Sequence, residues 1–133
     1  QATKDQALEM SLTIVEAKDL PAADRGGTSD PYAKLDIGQH SVKTAVIKKN
    51  LNPEWNQSMT FQLHELSSKC LSFKVFDWDR FGKDDIMGHI TLEIEDSITN
   101  SQGKIIQLHL QECKSGNLFY NLPYLRVLRI AQT

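Results

Sequence analysis

The stretch LSFKVFDWDRFGKDDIMGHITLE, residues 71–93, decides the fold. From Leu71 to Asp77 apolar and polar residues alternate, and Phe73, Val75 and Asp77 share one side, the period of a half-buried strand. RFGKDD then breaks the pattern at Gly82, and a second strand pattern runs from Ile86 to Glu93. A strand, a carboxylate-rich loop and a returning strand make an antiparallel pair, and the rest of the chain is built from similar pieces.

Working outward, LEMSLTIVEA (Leu8–Ala17) predicts a first strand with Leu8, Met10, Leu12 and Ile14 on one face. Pro21 and Gly26-Gly27 mark a loop after it. Tyr32–Ile37 and Ser41–Ile47 form a predicted hairpin around Gly38. Leu51–Asn56 (LNPEWN) reads as a turn segment, because Pro53 lacks a ladder donor and restrains Asn52. Strands are predicted at Ser58–Leu63, at Ile106-Leu108-Leu110 and at Tyr124–Ile130, with a short helix between Glu93 and Ser101. Eight short strands separated by regular turns indicate an all-β chain, an eight-stranded antiparallel β-sandwich. No internal repeat is present. Residues 1–7 read as a flexible polar linker and residues 8–133 as one domain.

At 133 residues the chain is long enough for a hydrophobic core without disulfide staples. The net charge of −2 argues against general nucleic-acid binding, which calls for a basic excess. Cys70 and Cys113 lack metal or redox spacing and are expected to be reduced, packed thiols of a cytosolic protein. His40, His64, His89 and His109 show no zinc spacing. No apolar run reaches membrane-spanning length and no signal peptide is visible. A chain beginning at Gln1 is expected to be an excised domain or processed fragment. Asn56-Gln57-Ser58 is formally a glycosylation sequon and carries little weight. Trp55, Phe61, Phe73, Phe76 and Trp78 read as core or loop-packing residues.

Five aspartates concentrate the chemistry. Asp24 and Asp30 lie in the loop after the first strand; Asp77, Asp79 and Asp85 lie in the loop already quoted. Hard oxygen ligands in that number suit calcium, which takes six to eight oxygens in flexible geometry. Turn chemistry alone accounts for one or two aspartates. It does not explain two like charges, Asp77 and Asp79, two positions apart at a strand end. Backbone carbonyls near Ala23, Trp78 and Lys83 are candidate additional ligands.

DLPAADRGGTSDPYAKL, NLNPEWN and VFDWDRFGKDDIMG together resemble C2 domains, the calcium-dependent phospholipid-binding modules of the protein kinase C and synaptotagmin type. The likeness runs from about Leu8 to Leu110. It implies a Greek-key sandwich with calcium-binding loops at one end and, from the order of strands, the permuted type II topology with the extra strand at the C-terminus. All five acidic ligands of the family pattern are present. Gly82 stands where relatives often carry a serine, threonine or asparagine that supports a further ion, so two calcium ions are expected. Asp84 is an extra carboxylate, readable as a ligand or as a solvated loop charge.

The implied function is non-catalytic: calcium-dependent binding to anionic phospholipid membranes, phosphatidylserine above all, by a cytoplasmic, monomeric module recruited to membranes when calcium rises. Arg25, Arg80 and Lys83 would meet lipid phosphates and Phe81 would insert. Tyr32, Lys34 and Lys43 form a second patch, placed where related domains hold phosphoinositide headgroups. Ala45 leaves that patch incomplete and Asp84 adds repulsion. Two alternatives compete. One is a protein-interaction module with structural calcium; the other is a magnesium-dependent phosphoryl hydrolase, for which no nucleophile, base or phosphate-cradling loop is present.

Overall fold

The computed structural model describes residues 9–22, 26–62, 65–93, 105–111 and 124–132. Eight strands follow in chain order: β1 (Glu9–Lys18), β2 (Pro31–Ile37), β3 (His40–Lys43), β4 (Glu54–Gln62), β5 (Cys70–Asp77), β6 (Asp85–Glu93), β7 (Ile105–His109) and β8 (Tyr124–Gln132). They form two four-stranded antiparallel sheets, ordered β4-β1-β8-β7 and β3-β2-β5-β6. This is the expected eight-stranded sandwich. The C-terminal strand β8 is an inner strand, paired with β1 on one side and β7 on the other.

Alternation in sequence becomes burial in structure. Met10, Leu12 and Ile14 of β1, with Leu125 and Val127 of β8, are fully buried from one sheet. Ala33, Leu35 and Ile37 of β2, with Leu71, Phe73 and Val75 of β5, meet them from the other. Each such Leu, Ile, Val, Met or Phe side chain contributes about 1.5–3 kcal/mol on burial, which makes this layer the main source of cohesion. On the solvent side of the first sheet, Ser11 meets Thr60 at 3.0 Å and Thr13 meets Ser58 at 2.8 Å, hydroxyl pairs across β1 and β4. Those positions are polar because they face water.

Strict alternation in β1 would carry Glu16 into the core behind Ile14. A bulge between Ile14 and Glu16 prevents it. Ala17 takes the inward position and Glu16 pairs with Arg126 at 3.2 Å and Lys18 at 3.6 Å.

Several predicted boundaries shift for local reasons. The third strand ends at Lys43, short of Ile47, because the Thr44 hydroxyl accepts the Ala33 N–H at 2.9 Å in place of a backbone carbonyl. The backbone still follows β2, with Thr44 N–H to Ala33 O at 2.8 Å and Ile47 N–H to Pro31 O at 3.0 Å. LNPEWN is a turn only as far as Pro53; β4 begins at Glu54, four residues before the predicted start. Proline tolerates the position just before a strand, since its carbonyl still accepts the Ala17 N–H at 3.0 Å. The helix suggested near residues 93–101 falls, beyond Glu93, outside the described residues, as does Cys113; Cys70 is a free thiol.

Phe73→Ala should remove about 3–5 kcal/mol of unfolding free energy in urea denaturation, as expected for emptying a sealed core position. Ser58→Ala, on the solvent face, should stay within about 0.5 kcal/mol of the parent chain.

Candidate metal centre

Strand ends assemble the site. Pro31 of β2 is registered against Asp77 of β5, and Asp77 against Asp85 of β6. The second pairing depends on a bulge. Val75 pairs with Gly88 but Phe76 pairs with Ile86, so Met87 is an extra residue tucked into the core. Continued without it, the ladder would set Ile86 against Asp77. The bulge instead sets Asp85 there, aiming a side chain beside a site in the manner typical of such irregularities.

Asp30, immediately before β2, is tied to the end of β5 in both directions. Its N–H donates to Asp77 Oδ1 at 2.8 Å, and its carbonyl accepts the Trp78 N–H at 2.9 Å. Its own carboxylate accepts the Lys49 N–H at 2.8 Å. Asp30, Asp77 and Asp85 therefore occupy three adjacent strand ends. Asp79 follows a different course, because β5 stops at Asp77 and strand alternation does not reach it. Asp79 Oδ1 accepts the Phe81 N–H at 2.9 Å, and a Cβ on Gly82 would come within 3.1 Å of Asp79 Oδ2. Glycine at 82 leaves room for this carboxylate.

Asp24, Ala23 and Arg25 lie outside the described residues. The loop that holds them is nevertheless anchored at both ends. Asp19 N–H donates to Asn52 Oδ1 at 2.9 Å, and Leu20 N–H to Leu51 O at 3.0 Å. At the other end the buried Ser29 hydroxyl donates to Pro21 O at 2.9 Å. The LNPEWN segment thus braces the first acidic loop, a role its turn chemistry alone does not disclose.

Among the described residues no three acidic, histidine or cysteine side chains are already gathered for a metal ion. Asp30, Asp77 and Asp79 each spend one oxygen on a backbone N–H. A carboxylate has about four acceptor sites, so those bonds leave capacity for a cation. The donors also fit one. They are all hard oxygens, and Asp77 stands directly across from Asp85, a like-charge cross-strand pair that is destabilising unless something positive lies between or beside it.

Asp84, next to Asp85, serves the outer face. Its Oδ1 accepts the Asp79 N–H at 2.8 Å and its Oδ2 accepts the Tyr32 hydroxyl. Tyr32 is 7% exposed, stacked on Phe76 at 5.3 Å, with Lys43 Nζ 5.9 Å from its ring centroid. Lys34 and Lys43 are cross-strand partners, and Lys34 also reaches Asp36 at 3.9 Å. The same register continues from Lys34 to Lys74 and on to His89. Their sequence separation hides this transverse row, and only strand pairing reveals that Lys74 and His89 extend it.

At the loop tip Phe81 is 89% exposed, the one large apolar side chain so placed among the described residues. Arg80 lies over its ring at 5.2 Å, and Arg80 and Lys83 are exposed beside it. Lys48 Nζ sits 5.1 Å from the Trp78 ring centroid, a third cation beside Arg80 and Lys83.

Burial, then the hydrogen bond to Asp84 and its negative charge, push the Tyr32 phenol up to about 12. Asp84 is held below the ordinary carboxylate range by the Tyr32 hydroxyl first and the Asp79 N–H second; burial opposes them and Lys43 adds to them. A raised Tyr32 pKa stabilises the fold below the unfolded value of 10.0, and that contribution disappears as pH climbs toward 12. A lowered Asp84 pKa contributes above the ordinary carboxylate value of 3.8, and its contribution is lost as pH falls through the folded value. Phenolate absorbance should show one tyrosine ionising near pH 12. Asp84→Asn should bring that transition down while leaving it above 10.0, since burial remains.

A family model described as the C2 domain matches residues 8–110. Multiple C2 and transmembrane domain-containing protein 1 of Mus musculus is 33% identical over 103 residues, covering 77% of this chain and 11% of that protein. Synaptotagmin-B of Diplobatis ommata is 42% identical over 92 residues, covering 65% of this chain and 21% of that protein. The chain spans about a tenth to a fifth of the length of these relatives. Among solved structures, the C2A domain of plant extended synaptotagmin 1 superposes with a TM-score of 0.74 at 28% identity, over 96% of this chain and 95% of that one. With 103 matching residues out of 133, and a sandwich of the same architecture, the chain belongs to the C2 domain family.

Proposed function

We propose that this chain is a calcium-triggered, non-catalytic module that carries a longer signalling or trafficking protein to anionic phospholipid membranes. One observation carries the reading: Phe81, 89% exposed, crowns a loop with Asp77 and Asp79 at one end and Asp85 at the other. An exposed aromatic beside acidic loop ends suits a surface that is closed to lipid until the charge is neutralised.

Without cation, Asp30, Asp77, Asp79 and Asp85, joined by Asp24 from the neighbouring loop, repel an anionic bilayer. Two calcium ions held by these five residues, with carbonyls near Ala23, Trp78 and Lys83 as further donors, add four positive charges. The local field then favours phosphatidylserine, with Arg25, Arg80 and Lys83 meeting phosphates and lipid oxygens completing the calcium shells. Inserted, Phe81 contributes about 1.5–3 kcal/mol. Phosphoinositide headgroups are a second partner of the same reading, at Tyr32, Lys34 and Lys43. Catalysis, where the parent protein has any, belongs outside this domain; Ras GTPase-activating protein 4B of Homo sapiens, 30% identical over 90 residues, is one relative whose name implies a separate activity.

Sedimentation with phosphatidylserine vesicles tests the whole switch. The chain should pellet with calcium and stay in solution with chelator, and Asp30→Asn combined with Asp79→Asn should abolish the difference. Calcium-independent pelleting, or none at all, would return the domain to a protein-interaction role with calcium as a structural ion. Phe81→Ala should weaken vesicle binding roughly tenfold or more, with calcium affinity in the absence of lipid unchanged. Millimolar calcium should also raise the thermal midpoint by about 5 °C or more, because the ion binds the folded loops alone.

A further inference from the structure

We propose that Asp84 is a positioning residue for the metal loop, a two-ended latch between the Tyr32 hydroxyl and the Asp79 N–H, and not itself a metal ligand. The inference rests on the calcium reading above and concerns how that site is kept in shape. Four groups form one continuous relay. The Tyr32 hydroxyl donates to Asp84 Oδ2, the Asp79 N–H donates to Asp84 Oδ1 at 2.8 Å, and the Phe81 N–H donates to Asp79 Oδ1 at 2.9 Å. The relay starts inside β2 and ends at the exposed tip of the loop.

Its first member is firmly held. Tyr32 is 7% exposed, lies against Phe76 with ring planes 18° apart, and is registered to it across β2 and β5. Its last member lies in the exposed stretch 79–83, which the Asp79 N–H ties back to Asp84. The neighbouring carboxylates go opposite ways: Asp85 opens β6 across from Asp77, while Asp84, just before the strand, reaches the outer-face Tyr32. Both Asp84 oxygens are therefore engaged away from the Asp77–Asp85 pair. Ordering a loop on ligand binding costs conformational entropy, and a latch set in advance removes part of that cost from the binding step.

A carboxylate beside a cation site could instead act through its charge, and Tyr32→Phe separates the two possibilities because it removes one hydroxyl and no charge. Calorimetric titration of the 133-residue chain with calcium should show Tyr32→Phe binding roughly threefold to tenfold more weakly, the worth of one hydrogen bond. Asp84→Ala should be weaker still. Asp84→Asn should recover part of the loss, since its amide can accept from Asp79 N–H and donate to the Tyr32 oxygen. Parental affinity in Tyr32→Phe, or Asp84→Asn no better than Asp84→Ala, overturns the latch in favour of a charge or ligand role.

Amide hydrogen exchange in chelator reads the latch without any metal. The Asp79 N–H should exchange faster in both Tyr32→Phe and Asp84→Ala than in the parent, while amides of β1 keep their protection. Unchanged exchange at Asp79 refutes the latch. A parent chain that binds no calcium refutes the functional reading, and the exchange comparison then still decides the latch.

Discussion

Everything at the acidic end depends on one pairing, Asp77 across from Asp85. Two carboxylates on facing strand positions repel, and a purely structural sheet has no reason to put them there. Met87 makes the pairing possible by dropping out of the ladder and into the core. The insertion converts what would be an apolar partner for Asp77, Ile86, into an acidic one. Once that register is set, Asp30 is carried to the same place by the pairing of Pro31 with Asp77.

Backbone amides keep the acidic pairing tolerable. Asp77 takes the Asp30 N–H, Asp30 takes the Lys49 N–H, and Asp79 takes the Phe81 N–H. Charge-assisted bonds of this kind offset part of the mutual repulsion and tie three separate chain segments together. The carboxylates thus fasten the loops, and the proposed function asks them also to offer oxygen to an ion.

Most of this fold was legible in sequence because burial follows a period of two. Leu71, Phe73 and Val75, and Met10, Leu12 and Ile14, point inward as their spacing requires. Legibility failed where the backbone leaves that period. The bulges at Val15 and Met87 have no distinctive residue, and the Thr44 hydroxyl ends β3 early by standing in for a carbonyl. Acidic candidates were visible from residue type; their partners were not. Lys49 serves Asp30 through its amide, which every non-proline residue owns, so no side-chain signal marks it. Asn52 and Asp84 do act through side chains, yet their partners Asp19 and Tyr32 lie 33 and 52 residues away.

The strand that builds the core also builds the site, and this makes the two inseparable. In β5 the inward parity of Leu71, Phe73 and Val75 continues without interruption to Asp77, so the last inward position of the strand is a carboxylate instead of a hydrophobe. A one-residue slip of β5 would expose Phe73 and turn Asp77 to the outer face in the same step. The large apolar burial that resists such a slip therefore also holds the acidic pair in register. On the opposite face the same parity stacks Phe76 on Tyr32, which fixes the hydroxyl that Asp84 accepts. Precision at the loops is inherited from both faces of one strand, and the tip that bears Phe81 can stay exposed because its footing is not.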